Sequence, residues 1–199
     1  MHHLYLNLLI CLSLLVSCDG QTTNNHPLSS PTLENFELSP DKAHPNAKKL
    51  LTEDFYWSAI EESGPFGSDD GSDAFYGFVT WRLQNKNTSP LIYLDELVAN
   101  WGYAKFDYNE LKEEELKKYI ASNQIGENTL IGQDNAIIAI GFGQFVLEGK
   151  IDPDMQKLTR VALQREMSPV LINMFAREHQ KKRLDQLRKM LSSVDKMNS

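Results

Sequence analysis

The chain is short of cysteine, short of histidine and short of positive charge, and each shortage removes a class of function. Cys11 and Cys18 are its only cysteines in 199 residues. Beyond Cys18 there is therefore no thiol nucleophile and no disulfide, and stability has to come from packing. No two histidines stand at metal-ligand spacing, and neither a phosphate loop nor a nucleophile elbow is present. No motif asks for a metal or an organic cofactor. With 20 Lys and Arg against 27 Asp and Glu, the formal net charge is −7, the opposite of the electrostatic footprint of a nucleic-acid binder. No segment repeats at a fixed period, and no coiled-coil heptad is sustained.

What is present begins with an apolar run. Leu4 to Val16 is interrupted only by Asn7 and Ser13. It fits a secretory h-region of about 7–15 residues and is too short for a membrane-spanning helix of about 20. The run ends in Leu15-Val16-Ser17-Cys18, which resembles a bacterial lipobox: cleavage before Cys18 and acylation of its sulfur. The n-region departs from the usual pattern, with His2 and His3 in place of Lys or Arg. Residues 1–17 are thus expected to be a lipoprotein signal peptide, and the chain to be held to a membrane of a bacterial envelope through lipid on Cys18. Several acyl chains on one cysteine anchor firmly, because each buried methylene contributes about 0.8 kcal/mol. Asp19 resembles an inner-membrane retention signal of enteric bacteria, a rule that does not carry to other lineages, so the membrane stays open.

From Asp19 to Leu33 the sequence is polar, rich in turn formers and free of apolar periodicity. Such a composition reads as a flexible tether over 18–35. Residues 36–195 then read as one helical domain, large enough to bury a core. From Pro153 to Ser199 there are ten basic and five acidic side chains, so the acidic surplus lies earlier in the chain. That asymmetry is either the solvated face of a terminal helix or a means of orienting the domain at an anionic membrane.

Within the domain the spacing predicts about seven helices. Ser39-Pro40 and Pro45 open two short ones, with His44 in the break as a local hydrogen-bond partner. Phe75, Phe78 and Val79 make one stripe of a core helix over Asp73 to Leu83, capped by Ser72 or Asp73. Ser89-Pro90 opens an amphipathic helix that ends at Gly102, and Asp107 to Glu110 has capping-box spacing for a helix running to about Ser122, with Leu111 and Leu116 inward. Ile137 to Leu147 is apolar nearly all round, which fits either a buried helix or a strand pair turning at Gly141 and Gly143; length and an Asp134 cap favour one helix, with the glycines permitting close approach. Gln144 then either satisfies a buried backbone group or faces a pocket. A helix over Met155 to Glu166 follows. A last one is opened by Ser168-Pro169, with Lys181, Lys182, Arg183, Arg188 and Lys189 outward and fraying after Val194.

One stretch carries the most specified residue types. Gly64-Pro65-Phe66-Gly67-Ser68-Asp69-Asp70-Gly71-Ser72-Asp73 is a turn loaded with carboxylates, in which glycine permits positive φ and proline fixes a bend. Asp69, Asp70 and Asp73 suit the positive end of a helix dipole. A hard-cation site is the functional rival, but adjacent aspartates with a displaced glycine do not match a calcium loop. Upstream, Phe55-Tyr56-Trp57 supplies three consecutive aromatics that cannot all face one core, so either they pack on the first helices or one serves recognition.

The residues Asp41 to Trp81, with Ala43-His44-Pro45, Lys48-Lys49-Leu50, Phe55-Tyr56-Trp57-Ser58 and Glu61-Glu62-Ser63 leading into that turn, resemble the YfeS-like family of small uncharacterised bacterial proteins. The Gly-Pro-Phe then Asp-Asp pattern is also similar to that of another family of unknown function, where it precedes helices. The resemblance implies a helical fold and no particular chemistry; the lipobox departs from relatives that are largely cytosolic.

The expected function is therefore a lipid-anchored binding module that meets another protein through Trp57, Glu61, Glu62, Phe66, Asp69, Asp70 and Asp73, an immunity-type masking of a toxin being one form of it. The alternatives are a carboxylate-based hydrolase with its site near Asp69-Asp70-Asp73, and a structural envelope lipoprotein.

Overall fold

The computed structural model describes residues 36–122 and 124–198. The expected signal peptide, Cys18 and the tether lie outside the described residues. Among those described there are eight α-helical segments, one 3-10 turn and no strand, so the all-helical expectation holds.

The organising element is α5, Gly126–Glu148, buried on nearly every side from Thr129 to Leu147. The apolar run that sequence left between helix and strand pair is one helix. It is long and apolar enough to cross a bilayer, yet 89% of its most apolar window is inside the protein, as a soluble core helix would be. It stops at Gly149, which adopts φ 68°, the left-handed conformation that glycine reaches without a Cβ penalty. There the backbone N–H of His44 donates to Val146 O at 2.8 Å and the Asn46 amide donates to Gly149 O at 3.0 Å. The start of α1, Pro45–Leu50, is thereby tied to the end of α5, and the His44 ring caps α1 by accepting from Asn46 N.

On α5 lean α2, Asp69–Gln84, and α6, Pro153–Glu166; α8, Arg177–Val194, packs on α6. The glycines of α5 permit this closeness. A Cβ at Gly141 would stand 2.1 Å from Thr159 Oγ1 of α6, and one at Gly143 would stand 2.8 Å from the Phe75 ring of α2. Gln144 is buried and takes up a backbone group: its Oε1 accepts from Asp152 N at 2.8 Å. Helices α3, Pro90–Asn100, and α4, Glu113–Ile120, close the other flanks, and the short α7, Pro169–Ile172, joins Leu116 and Leu130 in a satellite apolar cluster through Leu171.

Several expected boundaries move, each for a visible reason. Helix α2 starts at Asp69, four residues early, because Ser68 is the cap and its Oγ accepts from Gly71 N at 3.1 Å. Ser39 to Lys42 is a turn and not a helix. The capping-box residues Asp107 to Glu110 do not open a helix; Arg165 Nη1 takes the carbonyls of Tyr108 and Glu110 at 3.1 and 2.8 Å, which holds them in a loop, leaves Leu111 exposed and delays α4 to Glu113. Asp134 is no cap but a fully buried mid-helix residue paired with Arg165. The last helix is split, since the chain turns at Asn173 to Ala176 before α8 begins. Arg183 is not outward: it is buried, ion-paired with Glu166 and stacked 4.1 Å over Phe175. Nor does the chain fray after Val194, because Met197 is buried and Asn198 exchanges hydrogen bonds with the backbone of Ile151.

Candidate interaction surface

The aromatic triplet forms a 3-10 turn, Asp54–Trp57. Phe55 and Tyr56 are buried, Tyr56 stacks on Phe142 at 5.8 Å and its hydroxyl shares a hydrogen bond with Ser193 Oγ at 2.9 Å. Trp57 is half-buried with its indole N–H donated to Leu51 O at 2.8 Å. Packing, then, occupies these rings.

The loop that follows is held tightly. Ser58 Oγ accepts from Ile60 N and Glu61 N, and Gly64 N donates to Glu61 O at 2.7 Å. A Cβ at Gly67 would lie 2.1 Å from Glu61 O, so this glycine serves close approach of two backbones. It does not serve positive φ, which among the described glycines occurs only at Gly102 and Gly149. The same turn drives Phe66 inward to 1% exposure, 4.5 Å from the Phe75 ring. Phe66 is a core residue and not a recognition residue. Ile60 points the other way, 89% exposed. Glu61 is half-buried and bonded to Lys182 at 2.5 Å, while Glu62 is exposed.

Three aspartates enter α2, and they diverge. Asp69 and Asp73 face solvent; Asp70 is half-buried and accepts from the Tyr103 hydroxyl at 3.1 Å. Burial pushes the Asp70 carboxyl above the usual carboxylate range, the bond from Tyr103 opposes this, and the neighbouring charges of Asp69 and Asp73 reinforce it. Burial and Asp70 together push the Tyr103 phenol up to about 12. Among the described residues no group of three or more His, Cys, Asp or Glu is placed to hold a metal ion.

The divergence has a consequence for the surface. Asp69, Asp73, Tyr76 and Thr80 recur at spacings of four, three and four, and all are exposed, forming the solvent stripe of α2. On α3 the exposed residues are Ile92, Asp95, Glu96, Ala99 and Asn100. The two helices adjoin: the Tyr93 hydroxyl donates to Ala74 O at 3.2 Å, and the Tyr93 and Phe78 rings lie 5.7 Å apart. Each of these adjoining helices thus presents one large exposed side chain, Tyr76 at 42% on α2 and Ile92 at 49% on α3. Asp69, Asp73, Asp95 and Glu96 flank them, and none of the four forms an ion pair within the described residues. The one arginine of α2, Arg82, does not offset them, because it is buried against Glu148 at 2.9 Å with its Nη1 donated to Asn85 O and Thr88 O.

Of the residues singled out from sequence, Asp69, Asp73 and Glu62 are therefore exposed, Asp70 and Glu61 are engaged within the fold, Trp57 is half-buried and Phe66 is buried. Sequence reading passed over Ile60, Ile92, Asp95 and Glu96 and treated Tyr76 as a flank. Their signal was the polar side of each amphipathic stripe, where an isolated large side chain stands out only once its face is known to be outward. Sequence also missed the buried ion pairs Asp134–Arg165, Glu166–Arg183 and Arg82–Glu148, whose trace is a charge at an otherwise apolar helical position.

The chain is similar to the uncharacterised protein YfeS of Escherichia coli strain K12, 26% identical over 133 residues that make up 66% of this chain and 53% of that protein. It spans about half the length of that curated relative. The similarity supports the YfeS-like resemblance read from Asp41 to Trp81. No family model matches the chain, and no solved structure matches it.

Proposed function

We propose that the chain is a protein-binding module, held at a bacterial envelope by lipid on Cys18, whose outer α2–α3 face docks a partner with basic side chains around an apolar centre. The observation that carries this reading is the pair Tyr76 and Ile92, exposed between four carboxylates that no neighbouring cation neutralises. A rigid aromatic and a branched aliphatic supply contact area at low entropic cost, and the charges add selectivity and speed of association. Both helices are fixed to α5, so the face is presented without a folding step. An immunity-type role, in which acidic side chains mask a basic active site, is one form of this function. The anchor is supported by the sequence boundary at Leu15 to Cys18.

The test is crosslinking and recovery from membranes. One variant combines Tyr76→Ala with Ile92→Ala, and a second combines Asp69→Asn, Asp73→Asn, Asp95→Asn and Glu96→Gln. Both are expected to keep the wild-type circular dichroism and to lose a partner that the wild type recovers in a salt-sensitive manner. A partner retained by both variants would sink the assignment of this face. Mass spectrometry of the mature amino terminus tests the anchor separately: an unmodified Cys18 overturns that part.

A further inference from the structure

The basic residues of the carboxyl-terminal part are sorted by α8. Its inner side buries Arg183, Gln186, Leu187, Met190 and Val194. One flank is spent on internal ion pairs: Lys182 meets Glu61 at 2.5 Å, and Lys189 meets Glu53 at 2.7 Å and Asp185 at 3.0 Å. The outer side keeps Arg177, Lys181 and Arg188, with half-buried Leu184 between them. These four positions recur at spacings of four, three and four, so they form one stripe about 16 Å long. Each of the three cations is exposed, and none enters an ion pair or side-chain hydrogen bond within the described residues. The acidic residues beside the stripe are Glu178 and Asp185, the latter already held by Lys189.

We propose that this stripe is a membrane-docking surface, which seats α8 on the anionic headgroups of the bilayer. A row of long cationic side chains with almost no exposed apolar content suits a plane of phosphates, which needs no pocket, better than it suits a shaped protein site. The rest of the molecule enforces the orientation. The chain as a whole is acidic, so an anionic bilayer repels the α2–α3 face and attracts the side on which uncompensated cations are aligned in a row. Docking through α8 therefore leaves Tyr76 and Ile92 free for a partner. The inference rests on the lipid-anchored reading for its location alone, since an anchor on Cys18 would keep the domain near the surface, whereas the stripe is a property of α8.

The experiment uses the full chain with Cys18→Ala, so that no acyl chain contributes, and follows partition onto vesicles of phosphatidylcholine alone or mixed equally with phosphatidylglycerol. Residues 1–17 contain no Lys or Arg, and whatever the cationic amino terminus adds on anionic vesicles is common to every variant, so the comparison between variants isolates α8. Partition should be markedly stronger on the anionic vesicles and should decline with salt. Each basic side chain near an anionic surface contributes a factor of roughly five, so Arg177→Gln/Lys181→Gln/Arg188→Gln should remove a preference of up to about 100-fold. A control of equal charge change on other faces, Lys86→Gln/Lys105→Gln/Lys150→Gln, should keep it. The inference is overturned by equal partition on the two vesicles, by a control that loses as much as the α8 variant, or by an α8 variant that loses an acidic protein partner while its vesicle binding is unchanged. Acylation of wild-type Cys18 is scored independently, so an absent anchor with intact vesicle preference refutes only the anchor.

Discussion

Replacing Asp134 by leucine strips the carboxylate from a guanidinium that has no water to turn to. Both side chains are 0% exposed; Arg165 Nε lies 3.0 Å from each carboxylate oxygen and Nη2 lies 2.5 Å from Oδ1. Arg165 keeps its bonds to the carbonyls of Tyr108 and Glu110 and its seat 5.0 Å from the Phe106 ring, but those are neutral partners. Leaving one member of a buried pair uncompensated costs about 3–5 kcal/mol, a large share of the roughly 5–15 kcal/mol that holds a domain folded. With a urea slope of about 2 kcal/mol per molar, the midpoint should fall by about 2 M. Arg165→Met should behave differently, because a carboxyl can escape its burial by taking a proton. Burial already pushes Asp134 up against the opposing pull of Arg165, so with that pull removed the carboxyl takes its proton at a still higher pH, and this variant should cost less in acid than in alkali. The double variant should recover part of the loss, short of wild type, since the two loop carbonyls still lose a donor worth about 1 kcal/mol each. Urea denaturation followed by circular dichroism, run in acid and in alkali, measures all three. Asp134→Leu costing less than about 1 kcal/mol, or costs that simply add in the double variant, would refute the view of this pair as a coupled tertiary lock.

Gly141→Ala should destabilise by about 1–3 kcal/mol through overpacking against Thr159, and Thr159→Ala in the same chain should restore most of it; thermal melts that show no such rescue would mean α5 and α6 do not meet there. For Asp70 the sign follows from its raised value. The stability it contributes is present below the ordinary value near 3.8 and is lost as pH rises through the higher folded value. Asp70→Asn keeps an acceptor for Tyr103 without titrating, so it should gain relative to wild type as pH rises across that window; a gain on acidification would contradict the burial of this carboxyl.

The helical nature of the domain was legible in the chain because the relevant forces are local. The amphipathic pattern marks α3, and Ser89-Pro90 caps it as read. Of the alternatives the sequence left open, close approach is what Gly141 and Gly143 serve and a backbone bond is what Gln144 makes. The candidate surface was legible only in part. Asp69 and Asp73 could be placed at a helix start from their neighbours, but whether a given aromatic ends inside or outside depends on what packs across from it. Phe66 and Tyr76 lie ten residues apart in the same aromatic stretch, and Phe75 and Gly67 decide their opposite fates.

By itself the sequence determined the fold class and the acidic balance, because composition and local periodicity act without reference to distant residues; the proposed lipid-bearing amino terminus rests on the sequence alone. Only the tertiary structure decided which charges are spent and which are free. Arg165 and Arg183 look like ordinary surface cations until α5, α6 and α8 close around them, whereas Arg177, Lys181 and Arg188 keep their charge in water. The physical reason is that burial and ion pairing are set by residues far apart in the chain, Asp134 with Arg165 and Glu61 with Lys182, and no local pattern encodes a partner that only folding brings near.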